Sequence, residues 1–199
     1  MPTGVALRDA RQQLLDAAER VLLRDGPGAL TSRTVTAEAG CAKGVLHRHF
    51  KDFDDLLVEL VRDQAGRTVA RGDALKAAVG TGTVQDNVAE ALEELFSSVA
   101  VAVVPLMTFR DELRARLRET WPTSLPVLQE AAESIAAYLA AERDLGRVAA
   151  QADTDTLARM LIGTGHLLYA DRRAAPPAGG TVRATIATAL AGGVPPTVV

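Results

Sequence analysis

The sequence predicts an all-α fold of roughly nine helices without internal repeats. Apolar residues recur three and four positions apart in most segments, and no segment alternates at period two as a half-buried strand does. Aromatic residues make up only 4% of the 199 residues, so alanine and leucine provide most of a hydrophobic content of 48%. This composition favours helix packing over a β-sandwich.

Composition and charge exclude several classes of protein. The net charge is −3, so any surface that binds anions must be local. A single cysteine, Cys41, excludes an intrachain disulfide and is typical of a reducing compartment. We expect no signal peptide at the N-terminus, and the longest apolar run, 99–107, is too short to span a bilayer. The sequence therefore predicts a soluble, cytoplasmic protein without a membrane partner.

Four helices are predicted in the N-terminal part of the chain. They cover residues 8–24, 32–39, 43–50 and 53–79. Thr31 stands where an N-cap of the second helix is expected, and Asp52 is placed to cap the fourth. Gly40 is a good terminator of the second helix, because glycine adopts the left-handed conformation without strain.

The remaining residues predict further helices. They cover residues 84–104, 109–121, 124–145, 153–170 and 181–190. The segment 109–121 is marked by a stripe of apolar residues. Pro105 is expected to kink or end the first of these, since proline cannot continue a helix. Asp153 is expected to cap the helix that follows it, and a loop is expected over 174–180.

The segment around Gly40 has the pattern of a helix-turn-helix, two short helices joined by a tight turn. Val45, Leu46 and Phe50 provide an inward anchor for the second helix. Residues 31–51 contain four basic residues and one acidic residue, a net charge of +3. A focused positive charge of this kind is suited to contact with nucleic-acid phosphates.

These residues resemble the DNA-binding domain of the TetR family of transcriptional regulators. The matching residues are Leu14, Ala17, Ala18, Gly26, Leu30, Thr31, Arg33, Val35, Ala39, Gly40, Lys43, Gly44, Leu46, His49, Phe50 and Leu56. The resemblance implies a three-helix DNA-binding domain at 1–52 and a larger helical domain for ligand binding and dimerisation at 53–199.

Positions within the motif suggest which residues contact DNA. We expect Thr31, Arg33, His49 and Lys51 to contact phosphates, which set the register. We expect Lys43, Gly44, Val45 and His47 to reach base edges, with Arg48 able to do either.

Three residues depart from the family's usual pattern. His47 stands where tyrosine is usual, and Phe53 stands where a lysine near the start of the fourth helix is usual. Ala42 occupies a position where a capping serine or threonine is common, which weakens the third helix by about 1 kcal/mol. We expect the departures to change the affinity and site preference rather than the class of protein.

The resemblance implies a dimeric repressor that leaves a palindromic operator when a small, mostly apolar effector binds. The effector is expected in a cavity among the helices of 84–170. Side chains that could line it are Phe96, Met107, Phe109, Trp121, Tyr138, His166 and Tyr169. Gly163 and Gly165, with Ala158, allow close helix approach, so the dimer is expected to form through the last two helices, 153–170 and 181–190.

Several alternatives remain open at this point. The helix-turn-helix protein could be an activator or could be regulated by a protein partner. A small helical enzyme could use His166 near Tyr169 or Asp171, but we find no nucleophile motif and no glycine-rich phosphate loop. We expect no cofactor and no metal site, because His47 and His49 are two residues apart on a helix and face different directions. Cys41 is interpreted as a small plug in the turn, with a redox role as the other possibility.

Overall fold

The computed structural model describes residues 10–122, 125–169 and 179–190, and every regular element within these ranges is helical. The α-helices are α1 (Ala10–Asp25), α2 (Ser32–Glu38), α3 (Lys43–His49), α4 (Phe53–Ala77), α5 (Val84–Ser97), α6 (Val99–Ala102), α7 (Val104–Phe109), α8 (Asp111–Leu117), α9 (Leu128–Asp144), α10 (Thr154–Leu168) and α11 (Gly179–Leu190). The predicted all-α fold is confirmed. Three predicted features lie outside the described residues: the helix start at residue 8, the helix start at 124, and the loop up to residue 178.

The helix predicted over 84–104 is wrong in its extent. The helix α5 ends at Ser97, because Ser98 has an extended backbone and its hydroxyl donates to the carbonyl of Leu95 at 2.6 Å. The Ser98 oxygen also accepts a hydrogen bond from the N–H of Ala100 at 3.2 Å, so it caps the next short helix. Pro105 lies in the first turn of α7 and therefore begins a helix, since the missing N–H has no partner there in any case.

The chain forms two compact units. The first contains residues 1–64 and 102–125, and the second contains 65–101 and 126–199. The predicted boundary between residues 52 and 53 remains a prediction. Among the described residues, no single helix is long and apolar enough to cross a membrane, and only the bent pair Val84–Ser97 and Ala100–Phe109 meets that length and composition together.

The first unit has a core of aliphatic side chains from α1 to α4 and from the segment that contains α7 and α8. Its fully buried residues include Leu14, Ala17, Ala18, Val21, Leu30, Val35, Leu46, Leu56, Leu57, Leu60, Val61 and Leu113. The helix α1 packs on both α2 and α3, and α2 packs on α3. This packing fixes the angle between the two short helices and leaves their outer faces accessible.

The second unit is built from the later part of α4 and from α5, α9, α10 and α11. The helix α10 packs on α9 and α11, and α11 packs on α5. Asp153 caps α10 as predicted, because its carboxylate accepts the N–H of Thr156 at 3.1 Å. The buried Tyr138 and Glu142 of α9 hold the loop before α5: Glu142 accepts the N–H of Gly80 at 3.0 Å, and Asn87 donates to the Tyr138 hydroxyl at 2.9 Å.

Candidate functional site

The turn between α2 and α3 is fixed by local hydrogen bonds. The Thr31 hydroxyl accepts the N–H of Thr34 at 3.2 Å, and the Thr34 hydroxyl accepts the N–H of Thr31 at 3.0 Å, so α2 begins with a reciprocal cap. Gly40 has φ of 65°, the left-handed conformation that favours glycine. The N–H of Cys41 then donates to the Thr36 carbonyl at 3.0 Å. The chain therefore reverses direction between two short helices, as the sequence predicts.

The helix α3 is anchored through one face. Val45, Leu46 and Phe50 are buried, as expected for the inward side of a helix-turn-helix. The expectation that Val45 also reaches a base edge needs correction. Only 8% of Val45 is exposed, because its side chain lies in the core beneath α3. Val45 therefore anchors α3 in the core, and little of its side chain is exposed.

The other predicted contact residues are exposed on one continuous stretch of the motif. They are Thr31, Arg33, Lys43, Gly44, His47, Arg48, His49 and Lys51. A Cβ added at Gly44 would have no heavy atom within 4 Å, so the start of α3 is open to solvent at that point. The structure thus brings eight of the nine predicted residues to an accessible surface, which we call the basic surface.

The positive charge of the basic surface is not neutralised by its neighbours. Among the described residues, Arg33, Lys43, Arg48 and Lys51 make no ion pair. Glu38, the single acidic residue within 31–51, instead accepts hydrogen bonds from Arg20 and Arg24 of α1, each at 2.8 Å. These bonds, with that of Arg20 first, lower the pKa of Glu38. Its charge is compensated by α1, and the four cations remain available to an external anion.

The N-terminus of α4 is capped and paired within the first unit. The Asp52 carboxylate accepts the N–H of Asp55 at 2.8 Å, which confirms Asp52 as the cap. Arg116 of α8 donates to both Asp52 oxygens, at 2.9 and 2.8 Å. This bidentate pair, followed by the Asp55 N–H, lowers the pKa of Asp52 to about 2. Arg116 of α8 therefore keeps the Asp52 carboxylate at the start of α4 in its charged form.

Phe53 has a packing role in this structure. The guanidinium of Arg110 lies 5.3 Å from the centre of the Phe53 ring, a cation–π arrangement. Arg110 also donates to Asp54 at 2.9 Å. At the position where the related family usually has a lysine, this chain therefore places an aromatic ring beneath an arginine that is already paired.

Cys41 is a half-buried free thiol in the turn, and burial raises its pKa. Within the described ranges, no group of three histidine, cysteine, aspartate or glutamate side chains is arranged to hold a metal ion.

The second unit contains a cavity of about 260 Å³ between α4, α5 and α9. It is lined by Thr68, Arg71, Gly72, Ala74, Leu75, Ala78, Asn87, Glu90, Ala91, Glu94, Leu95, Ala131, Ser134 and Ile135. Seven of these fourteen residues are aliphatic, six are polar or charged, and none is aromatic. Small residues on all three helices, Gly72, Ala91 and Ala131 among them, contribute to the wall.

The seven side chains predicted to line an effector pocket are not brought together. Met107, Phe109 and Trp121 belong to the first unit, and Phe109 is 81% exposed. Of the four in the second unit, Phe96 and Tyr138 are buried in the core, and Tyr169 lines a much smaller cavity against α11. None of the seven lines the larger cavity. We expected aromatic side chains to line the pocket, but here Phe96 and Tyr138 fill the core and Phe109 is exposed to solvent.

The residues that do line the larger cavity were not singled out by the sequence. Gly72 is the clearest example: a Cβ at Gly72 would lie 2.2 Å from the Ser134 hydroxyl oxygen, so only glycine lets α4 and α9 approach beside the cavity. The run of small residues with Gly72 and Ala74 on α4 and Ala78 just after it is a signal of close packing. Nothing in it indicates which distant helix supplies the opposite wall.

Among the described residues, no hydrogen bond joins His166 Nδ1 to an acidic or nucleophilic side chain. Its Nδ1 is buried without a hydrogen-bond partner, and its nearest aromatic neighbour is Phe96, with ring centres 6.5 Å apart. The Phe96 ring stacks on Tyr169 at 5.4 Å. Asp171, the other proposed neighbour, lies outside the described residues.

The helix α10 has an outer face that the described residues do not cover. Met160 and Leu167 of α10 are 53% and 77% exposed, and Gly163 lies between them with open space around it. Gly165 and Ala158 have a different role from the one expected, because both are buried within the chain. A Cβ at Gly165 would lie 2.2 Å from the Phe96 ring, so Gly165 allows α10 to approach α5.

Known proteins resemble this chain most clearly in its N-terminal helices. The family model "Bacterial regulatory proteins, tetR family" matches residues 14–60, which include the helix-turn-helix. The HTH-type nicotine-responsive transcriptional repressor HdnoR of Paenarthrobacter nicotinovorans is 43% identical over 49 residues, or 25% of each chain. The fatty acid metabolism regulator protein of Bacillus subtilis (strain 168) is 25% identical over 128 residues, or 61% of this chain and 65% of the relative. The aligned residues thus span less than two thirds of either relative.

A solved structure extends the similarity to nearly the whole chain. The multidrug binding protein EbrR, complexed with imidazole, superposes with a TM-score of 0.61 and is 26% identical. The superposition covers 95% of this chain and 98% of that one. The predicted resemblance to the TetR family is confirmed for residues 14–60, and the fold of nearly the whole chain matches that of EbrR.

Proposed function

Because the chain carries the tetR-family helix-turn-helix at residues 14–60 and shares the fold of a TetR-type protein, we propose that it is a DNA-binding transcriptional regulator. The function we assign is that of a dimeric repressor that a small-molecule effector releases from a palindromic operator. The observation that carries this proposal is the basic surface, where four cations have no ion-pair partner among the described residues. Phosphate oxygens of DNA are the natural partners of such cations.

The DNA contacts divide by position on the motif. Thr31, Arg33, His49 and Lys51 surround the two short helices and are assigned to phosphates, which set register without reading sequence. Lys43, Gly44, His47 and Arg48 lie at the exposed side of α3, the helix assigned to the major groove. With Val45 buried, sequence readout depends on Lys43, His47 and Arg48, while Gly44 permits close approach to the bases.

A second copy of the chain is assigned to the outer face of α10 and α11. Leu167, Met160 and Gly163 form an accessible apolar stripe at helical spacing on α10. One short recognition helix buries too little surface for tight specific binding. A two-fold dimer doubles the contact on a palindromic site.

The cavity in the second unit is assigned to the effector. The relatives include a nicotine-responsive repressor and a multidrug binding protein complexed with imidazole, and both descriptions are compatible with a small ligand. A ligand lowers DNA affinity only if it binds better to a conformation in which the two helix-turn-helix motifs no longer match adjacent major grooves. We assign no catalytic activity to the chain. We place its function in the cytoplasm, because the operator DNA that it would bind lies there.

The test is a pull-down of genomic DNA fragments with the purified protein at about 150 mM salt, followed by sequencing. We expect one enriched palindrome with half-sites about one helical turn apart. Arg48→Ala should lose this enrichment, whereas Arg62→Ala, at an exposed arginine of α4 that pairs with Glu59, should keep it. The absence of any enriched sequence with the wild-type protein, in the presence and absence of a cavity ligand, would contradict the proposal.

A further inference from the structure

The exposed face of α3 presents hydrogen-bond donors. Lys43 and His47 lie one turn apart, and Gly44 and Arg48 form the neighbouring row, so the four residues cover about 140° of the helix. All four are exposed, and within the described residues no side-chain hydrogen bond or ion pair engages them. Lysine and arginine side chains carry donors only, and histidine keeps at least one donor in either protonation state.

The motif offers no free side-chain acceptor of the kinds that read adenine or cytosine. Residues 31–51 contain no asparagine, glutamine or aspartate. Their single glutamate, Glu38, accepts hydrogen bonds from Arg20 and Arg24 of α1, each at 2.8 Å. Bidentate reading of adenine requires an amide side chain, and reading of cytosine requires a carboxylate. Neither group is available on the basic surface.

The methyl group of thymine finds little apolar surface on α3. Of the two aliphatic residues in this helix, Val45 is 8% exposed and Leu46 is fully buried. Ala42 is exposed, but it precedes α3 as the N-cap and offers a single methyl group. Guanine presents two acceptors in the major groove, O6 and N7, and therefore matches a face that carries donors best.

Gly44 leaves space for the Arg48 side chain. Helical side chains lean toward the N-terminus and cover the turn before their own Cα, which directs Arg48 toward Gly44. A Cβ at Gly44 would meet no heavy atom within 4 Å, so packing inside the chain does not require glycine there. Glycine is also a poor helix former. The gap is instead suited to a close approach of α3 to the bases, with the Arg48 guanidinium beside it.

We propose that α3 reads two guanines in each operator half-site, one through Arg48 and one through Lys43, with Gly44 admitting the close approach. The planar fork of arginine donates to O6 and N7 together, and lysine donates to the same two atoms. The assignment of bases to α3 rests on the proposed function, because it requires that the motif bind DNA in the major groove.

The direct test follows binding of the full chain to the enriched palindrome by fluorescence anisotropy at about 50 mM salt, where weakened variants still bind. Each base pair of the half-site is exchanged in turn, symmetrically in both half-sites. Wild type should lose about tenfold or more at two positions that are both G·C pairs. One of these penalties should disappear in Arg48→Ala and the other in Lys43→Ala. An A·T pair at either position would overturn the proposal.

Base analogues then identify the atoms that α3 contacts. At the two positions, 7-deazaguanine, which lacks the N7 acceptor, should weaken binding of wild type about threefold or more. Inosine keeps O6 and N7 and should leave the affinity within about twofold. Full affinity for a palindrome with 7-deazaguanine at both positions would overturn the reading of guanine in the major groove.

Two further variants separate reading of bases from general binding and from stability. Lys51→Ala, which removes a cation assigned to phosphate, should weaken binding to every duplex by the same factor and keep both penalties. Gly44→Ala should raise the melting temperature, since alanine favours the helix and meets nothing within 4 Å, yet it should weaken DNA binding. A Gly44→Ala variant that binds as tightly as wild type would overturn the close approach that the proposal requires.

Failure of this inference differs from failure of the proposed function. If a palindrome is enriched and both penalties persist in Arg48→Ala and Lys43→Ala, the regulator stands and the guanine assignment is overturned. If no sequence is enriched, the proposed function fails and the guanine assignment fails with it.

Discussion

The basic surface and the cavity differ in the side chains that form them and in how far apart those side chains lie in the sequence. The basic surface depends on side chains that project from one stretch of 21 residues, 31–51, and its four cations make no ion pair within the described residues. The cavity depends on side chains that are small or missing, contributed by three helices between residues 68 and 135. A site formed by projecting groups is encoded locally, whereas a site formed by empty space exists only after distant helices have packed.

The largest expected effect concerns the anchor of the basic surface. Leu46→Ala should lower the free energy of unfolding by about 2–5 kcal/mol, because Leu46 is fully buried beneath α3 and the change leaves a cavity. Leu23→Ala is the matched control, since Leu23 of α1 is 49% exposed. Urea unfolding measures both. Equal losses in the two variants would show that α3 is not anchored through Leu46.

A pair of glycines on α10 provides the next test, this time of packing in the second unit. Gly165→Ala should destabilise the protein by about 1–3 kcal/mol, because its Cβ would meet the Phe96 ring at 2.2 Å. Gly163→Ala meets nothing within 4 Å and should raise monomer stability by up to about 1 kcal/mol through helix propensity. Thermal unfolding at low protein concentration compares them. A Gly165→Ala variant as stable as wild type would refute the close approach of α10 and α5.

The start of α3 offers a smaller, stabilising change. Ala42 has the extended backbone of an N-cap residue but no side chain that can accept a hydrogen bond. Ala42→Ser should therefore stabilise the protein by about 1 kcal/mol, which denaturant unfolding measures. Ala42→Val serves as the control without a hydroxyl, because valine is a poor N-cap residue. If serine and valine behave alike, the hydroxyl does not cap α3.

The smallest expected effect is a pH dependence at the start of α4. Arg116 lowers the pKa of Asp52 from its usual 3.8 to about 2, so the carboxylate is charged in the folded protein at a pH where it is protonated in the unfolded chain. The stabilisation is therefore complete above about pH 4 and is lost as the pH falls through about 2. Melting temperatures of wild type and Arg116→Ala should differ most above pH 4 and converge toward pH 2.

Arg118→Ala provides the matched control for that titration, because Arg118 is exposed and makes no ion pair within the described residues. Its melting temperature should differ from wild type by the same amount at every pH. A difference for Arg116→Ala that does not narrow below pH 4 would contradict the bidentate pair with Asp52.

The parts of the fold that sequence reasoning predicted are those with local causes. Thr31 caps α2, Gly40 ends it, and Asp52 and Asp153 cap later helices, each through a bond or backbone angle within a few residues. The break at Ser98 was missed, since a serine fits a helical pattern and only its hydrogen bonds to Leu95 and Ala100 reveal the change of direction.

The cavity was missed for a different reason. Aromatic residues such as Phe96 and Tyr138 were expected to line a pocket, but their size places them in the core. Gly72 marks the contact that shapes the cavity, yet its partner Ser134 is 62 residues away and no spacing rule connects them. Which side chains border unfilled space depends on the packing of the whole unit.

The measurement that tests the central claim most directly is the salt dependence of binding to the enriched palindrome, followed by fluorescence anisotropy. We compare wild type with Lys51→Ala, which removes a cation of the basic surface, and with Arg62→Ala, which removes an arginine that pairs with Glu59. Lys51→Ala should bind more weakly and reduce the slope of log affinity against log salt by about 0.9 per subunit. Arg62→Ala should match wild type. An unchanged slope for Lys51→Ala, or an equal loss in both variants, would contradict the assignment of DNA to the basic surface.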